Sequence, residues 1–180
     1  MRMSHVGFFV VIASIVACQD GGAPANLTAG GGPAFSRSEQ ADEVAGDWVF
    51  RFEQLVGNDV TGTRGTIRGQ DAIGAPWRVE RGEARLSQRG ELRVKVEGLV
   101  LQSSGVNPIT AFKAILSCLT NSEDTPLTLV TVNLSTELFP ASSEGDVEIR
   151  EVVGDIPSPC YAPLVLVTNA AGRWAAISGF

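Results

Sequence analysis

The side chains best suited to chemistry in this chain are the thiols of its three cysteines, Cys18, Cys118 and Cys160. A thiol can carry a lipid, form a disulfide, bind a metal ion or act as a nucleophile. None of the three belongs to a C-x-x-C pair, so the spacing that favours a metal or redox site is missing. The role of each thiol therefore depends on the compartment that the chain occupies.

Cys18 stands at the end of an uncharged apolar run, residues 6–17, which follows the positive charge of Arg2. A run of this length is typical of the core of a signal peptide and is short for a permanent membrane helix. The sequence Ile15-Val16-Ala17-Cys18 resembles the lipobox of bacterial lipoproteins, and the resemblance covers only this N-terminal segment. An ordinary secretory signal that happens to end near a cysteine is the alternative.

The resemblance to lipoprotein precursors implies a sequence of processing steps. Residues 1–17 would be removed as a signal helix, and Cys18 would become a lipidated N-terminus that anchors the chain stably in a membrane. Gln19 stands where an aspartate in similar signals favours the inner membrane, so the resemblance implies delivery to the outer membrane in a host with two membranes. The protein would then reside in the cell envelope, outside the cytoplasm.

Cys118 and Cys160 remain as a pair in such an exported chain. An oxidising compartment favours a disulfide between them. Cys118 shares the alternation of Phe112, Ala114 and Leu116, so in a strand its thiol points into the core. Two separately buried thiols are the competing interpretation.

Histidine chemistry is missing, because the only histidine, His5, lies in the signal segment. Without histidine, neither a Ser-His-Asp or Cys-His catalyst nor a histidine zinc site can be built. The chain also has no phosphate-binding loop. We therefore expect no enzyme, no cofactor and no metal site. A histidine-free hydrolase that works with two carboxylates is the alternative.

The segment Asn121–Asp124 is the densest cluster of oxygen ligands in the chain. It lacks the alternating acids and the central glycine of an EF-hand loop, so we expect a solvated turn there and not a calcium site. The charge of the whole chain is −6, and removal of residues 1–17 takes away Arg2 and no acid, which gives −7. This acidic balance argues against nucleic acid as a partner.

Alternation of apolar and polar residues, the pattern of half-buried strands, recurs throughout residues 46–180. Glu91–Gln102 reads as the central strand, and with Glu83–Gln88 it predicts a hairpin across Arg89-Gly90. Trp48, Phe50 and Phe52 alternate with Val49, Arg51 and Glu53, which predicts a first strand with an aromatic core face. Trp77 is expected to pack in the core or at a sheet edge.

Ile109–Leu119 fits both helical and strand spacing, and we favour a strand because the neighbouring segments read as strands. About nine short strands separated by turn signals indicate an all-β fold, an antiparallel β-sandwich that is similar in layout to Ig-like domains.

The sequence divides into three parts: a signal segment (1–17), a lipid-anchored Gly- and Ala-rich tether (18–45) and one sandwich domain (46–180). We expect the domain to be monomeric and to bind an envelope protein or glycan, or to play a structural role there. The membrane is its second partner, through the lipid alone.

Overall fold

Every regular element in the described part of the chain is a β-strand. The structure, a computed structural model, describes residues 48–59, 65–125 and 127–178. In chain order the strands are β1 (Trp48–Phe52), β2 (Leu55–Gly57), β3 (Trp77–Arg78), β4 (Arg81–Ser87), β5 (Glu91–Glu97), β6 (Val100–Leu101), β7 (Ala111–Asn121), β8 (Leu129–Ser135), β9 (Phe139–Pro140), β10 (Val147–Val152), β11 (Tyr161–Thr168) and β12 (Trp174–Ser178). The predicted all-β class is therefore confirmed.

The predicted signal helix, the lipidation residue Cys18 and the tether lie outside the described residues. Within the described ranges, no helix with the length and apolar character of a membrane span is found.

The named strands pair antiparallel in three sheets. The four-stranded sheet has the order β1-β4-β5-β10. The six-stranded sheet has the order β2-β12-β11-β7-β8, with β9 pairing on β7. β3 and β6 form a small third sheet. β5 is an interior strand of the four-stranded sheet, which agrees in part with the predicted central strand. It is not central to the whole fold, because β7 and β11 form the middle of the six-stranded sheet.

The two larger sheets turn their apolar faces toward one shared core. The four-stranded sheet contributes Leu92, Val94 and Ile149, and the six-stranded sheet contributes Leu116 and Val165. All five are buried, and full burial of such a side chain stabilises the fold by roughly 1.5–3 kcal/mol. The core therefore follows from the period-two alternation of the strands that line it.

The six-stranded sheet is also covered on its other face. Ile115, Leu166 and Ile177 lie side by side on three neighbouring strands and form a second apolar cluster. Ile67 and Ala72, from the segment before β3, pack onto this cluster. Coverage on both faces explains why β11 and β12 are nearly continuous apolar runs.

Two strand predictions are confirmed, and one needs correction. From Ala111 onward, the ambiguous segment Ile109–Leu119 lies in a strand, β7, and the hairpin is formed by β4 and β5. The predicted strand Glu91–Gln102 is broken at Gly98, whose φ of 67° takes the chain out of the four-stranded sheet. The residues that follow form β6, which pairs with β3.

The position of Trp48 is the second correction. Phe50 and Phe52 pack against the core as predicted, but Trp48 does not belong to the core cluster. The pairing of β1 with β4 shifts between Trp48 and Phe50. Such a bulge inserts one residue and reverses the side to which the chain beyond it points, so Trp48 lies on the outer face of the four-stranded sheet.

Candidate functional site

The structure contains the Cys118–Cys160 disulfide that the sequence predicts. Cys118 lies in β7 and is fully buried, while Cys160 immediately precedes the neighbouring strand β11. The two Cα atoms are 5.0 Å apart and the sulfur atoms are bonded. Both thiols are therefore consumed, and neither is left as a nucleophile or a metal ligand.

The outer face of the four-stranded sheet carries a row of arginines across all four strands. Strand register places them side by side, one on each strand: Arg51, Arg85, Arg93 and Arg150. We call these four residues the arginine row. Neighbouring strands are spaced 4.7–4.9 Å apart, so the row is about 14 Å long. Like charges directly opposite each other lower the stability of a sheet, so the row needs compensating acids.

Acidic residues on the same face supply part of that compensation. Glu83 Oε2 lies 3.2 Å from Arg85 Nη2. Arg93 Nε and Arg150 Nε both donate to the same oxygen, Glu91 Oε1, each at 2.7 Å. These hydrogen bonds, that from Arg93 foremost, hold the pKa of Glu91 below its usual value. One carboxylate accepts from two guanidinium groups, so Arg93 and Arg150 keep further donors on a face that also carries Glu83 and Glu148.

Trp48 adds an aromatic surface beside the arginine row. The guanidinium carbon of Arg93 lies 5.3 Å from the centre of the Trp48 ring, within the range of a cation–π contact. A depression of about 140 Å³ at Arg93 is lined by Arg85, Arg93 and Lys95, by the acids Glu83 and Glu148, and by Val94 and Ile149. Guanidinium groups offer five donors in a fixed fork that matches carboxylates and phosphates. The face can thus bind an anionic group next to an aromatic ring.

A second depression, of about 510 Å³, adjoins the first and is mainly acidic. It is lined by Glu80, Glu97, Asp146, Glu148 and Lys95, together with Val96, Pro140 and Val147. Lys95 Nζ lies 2.9 Å from Glu97 Oε1. Its hydrogen bond lowers the pKa of Glu97, and the same contact raises the pKa of Lys95.

Hydrolysis of a glycoside needs one carboxyl group whose pKa is raised, so that it can donate a proton. Glu97 has the opposite shift, because Lys95 stabilises its charged form. Asp146 Oδ1 is also engaged, since it accepts a hydrogen bond from the backbone N–H of Gly98 at 3.0 Å. Glu97 is therefore suited to binding cations or hydroxyl groups and not to donating a proton.

The oxygen-rich segment Asn121–Asp124 begins at the last residue of β7 and continues into the turn that follows. Its acids, Glu123 and Asp124, are exposed, and the Ser122 hydroxyl accepts a hydrogen bond from the Thr125 N–H at 3.3 Å. Across residues 48–59, 65–125 and 127–178, no group of three or more Asp, Glu, Cys or His side chains is arranged to hold a metal ion.

The arginine row was not found by sequence reasoning, although strands were predicted around Arg51, Arg85 and Arg93. Arg93 and Arg150 are 57 positions apart in the numbering of the chain, yet they lie on adjacent strands in direct register. Alternation within a strand indicates only which of its side chains point outward. Comparison with models of protein families, with curated proteins and with solved structures found no match for this chain.

Proposed function

We propose that the chain is a lipid-anchored β-sandwich domain of the bacterial cell envelope that binds an anionic glycan and is not an enzyme. The observation that carries the binding role is the arginine row with Trp48 beside it. The sandwich architecture is supported by the two larger sheets, which bury their apolar faces in one shared core.

The location of the domain is supported by two features. The first is the sequence Ile15-Val16-Ala17-Cys18 at the end of an apolar run. The second is the Cys118–Cys160 disulfide, since disulfides persist mainly outside the reducing cytoplasm. A lipid at Cys18 would hold the domain at the membrane surface, and residues 18–45 would serve as its tether.

The chemistry of the face points to a glycan that bears negative charges. Arg93 and Arg150 share one carboxylate, so a carboxylate, sulfate or phosphate of a ligand can take up their remaining donors. The Trp48 ring offers a flat apolar surface for a sugar ring. The row extends across the whole sheet, which suits a chain of several sugars better than a single compact ligand.

The binding proposal predicts a loss of affinity when the row is interrupted. The double variant Arg93→Gln/Arg150→Gln should bind an oligogalacturonate at least about tenfold more weakly than the wild type, because each charge-assisted hydrogen bond contributes roughly 1.5–3 kcal/mol. Titration calorimetry of the full-length chain in nonionic detergent measures this directly.

Arg89→Gln is the matched control, since Arg89 is exposed in the turn between β4 and β5 and lies outside the row. It should bind the oligogalacturonate as the wild type does. A neutral oligosaccharide of equal length should bind to the wild type and to Arg89→Gln more weakly than the oligogalacturonate does. Equal affinity of wild type and double variant would show that the row is not the binding site.

The anchor makes a separate prediction. Cys18→Ser should prevent acylation, and the chain should shift from the membrane fraction to the soluble fraction of cells that carry the lipoprotein pathway. Mass spectrometry of the wild-type N-terminal peptide should find a diacylglyceryl group on Cys18. An unmodified N-terminus elsewhere, for instance within residues 18–45, would identify an ordinary secretory signal.

The second candidate function is a carboxylate-based hydrolase of envelope glycans, and the acidic depression favours it. Glu80 and Glu148 line that depression together with Glu97. The release of new reducing ends from an envelope glycan, abolished by Glu148→Gln, would establish this function. Binding without such release would leave the first proposal in place.

A further inference from the structure

Three of the four edge strands of the two larger sheets are protected against pairing with another chain. Proteins commonly protect edges with charges, bulges, short strands or a covering segment. β1 has a bulge and carries Arg51, and β2 has only three residues. β10 carries Glu148 and Arg150, and the segment before β9 is held to it, since the Glu137 N–H donates to Glu151 Oε2 at 2.8 Å.

β8, the fourth edge strand, is not protected by a charge, a bulge or a short length, although Asn133 Nδ2 donates to the Arg68 carbonyl oxygen of the segment before β3 at 2.9 Å. It is seven residues long and pairs only with β7 in the described part of the chain. No charged residue and no bulge interrupts it, and from Leu127 to Thr136 the sequence has no charge at all. Large apolar side chains are exposed along it: Leu129 is 50% exposed and Val130 is 39% exposed.

The pairing of β8 with β7 determines which of its backbone groups face outward. The N–H of Thr136 donates to the Ala114 carbonyl, and the N–H of Ser122 donates to the Thr128 carbonyl, so the even-numbered residues of β8 form the hydrogen-bonded pairs. Alternate residues of an antiparallel strand point their N–H and C=O groups to opposite sides. The odd-numbered residues, Leu129 to Ser135, therefore direct their backbone groups away from β7.

We propose that β8 pairs antiparallel with β8 of a second copy of this chain, so that the two six-stranded sheets become continuous. With Val132 opposite its own equivalent, Thr131 faces Asn133 of the second copy and exchanges backbone hydrogen bonds with it. Val130 then lies opposite Leu134 of the second copy. The side chains that face the core in each copy stay on one side of the joined sheet, as a buried face requires.

Charge is the reason for assigning the edge to a second copy. Around a two-fold axis at Val132, the nearest acid beyond the strand, Glu137, lies opposite Leu127, and Asp124 lies opposite Pro140. No like charges meet along the joined strands, although the whole chain carries a net charge of −6. An edge meant for a charged partner strand would be expected to carry complementary charges, and β8 has none. The expectation from the sequence alone is a monomer, so the oligomeric state distinguishes the two.

Thr131 is the position at which to test the pairing, because it is exposed and its N–H points away from β7. Thr131→Pro removes that N–H and leaves the hydrogen bonds to β7 in place, as is tolerated at a sheet edge. Thr131→Lys adds a charge of the kind that protects natural edges. Thr131→Val keeps the N–H and the strand preference, so it is the matched control.

Sedimentation of the full-length chain in density-matched detergent micelles tests the proposal. The wild type and Thr131→Val should form dimers in the micromolar range, and Thr131→Pro and Thr131→Lys should remain monomers with an unchanged circular dichroism spectrum. A monomeric wild type, or dimers that persist in Thr131→Lys, would overturn the proposal. A lipid at Cys18 would be present in all variants. Association through the lipid would therefore appear as dimers that persist in Thr131→Lys.

Discussion

Replacing both Cys118 and Cys160 with alanine should lower the free energy of unfolding by about 4 kcal/mol. The two cysteines are separated by 42 residues, and in the chain-entropy model a cross-link of this span restricts the unfolded chain by that amount. The closed loop contains β8, β9 and β10, so strands of both larger sheets depend on it. Urea unfolding of the variant and the wild type measures the difference.

Ser117→Ala is the matched control for the disulfide variant. Ser117 is adjacent to Cys118 in β7 and fully buried, and its hydroxyl has no hydrogen-bond partner in the described part of the chain. Its removal should leave stability unchanged or raise it by about 1 kcal/mol, since no hydrogen bond is lost. Equal stability of the double alanine variant and the wild type would contradict the structural role of the disulfide.

Trp77→Ala should lower the free energy of unfolding by roughly 3–5 kcal/mol, as expected for truncation of a large core side chain. Trp77 is 1% exposed, and its ring meets the ring of Phe112 edge to face, with centroids 6.0 Å apart. The substitution leaves a cavity where the small β3–β6 sheet meets the core. Thermal and urea unfolding measure the loss.

Trp48→Ala tests whether Trp48 and Trp77 contribute differently to stability. Trp48 lies on the outer face against Arg93, so its removal should cost only about 0.5–1 kcal/mol, the size of an exposed cation–π contact. A cost for Trp48→Ala as large as that for Trp77→Ala would restore Trp48 to the core and contradict the bulge in β1.

Strand identity was accessible from the sequence because the apolar alternation of these segments matches a half-buried strand. In β10, for example, Val147 and Ile149 alternate with Glu148 and Arg150, and the first two are buried in the structure. The ambiguous segment Ile109–Leu119 was resolved correctly by its neighbours. The disulfide could also be predicted, because an exported chain in which Cys18 carries a lipid has only Cys118 and Cys160 left to pair.

The candidate site was not accessible, because it depends on strand register. Arg51 and Arg85 become neighbours only when β1 pairs with β4 in one particular alignment. The bulge that turns Trp48 outward leaves no local signal in the sequence WVFRF, which reads as regular alternation. Gly98 marked the end of β5, but the new pairing of β6 with β3 is a long-range contact that alternation does not specify.

Residue-resolved mapping of a bound glycan tests the proposed function most directly. The measurement is a nuclear magnetic resonance titration of the full-length, isotope-labelled chain with an oligogalacturonate. The predicted result is a set of shifted resonances confined to the arginine row and Trp48, including the Trp48 indole N–H and the side-chain Nε–H groups of Arg93 and Arg150. Shifts confined to the acidic depression around Glu80 and Glu97, or an unchanged spectrum at saturating glycan, would contradict the account.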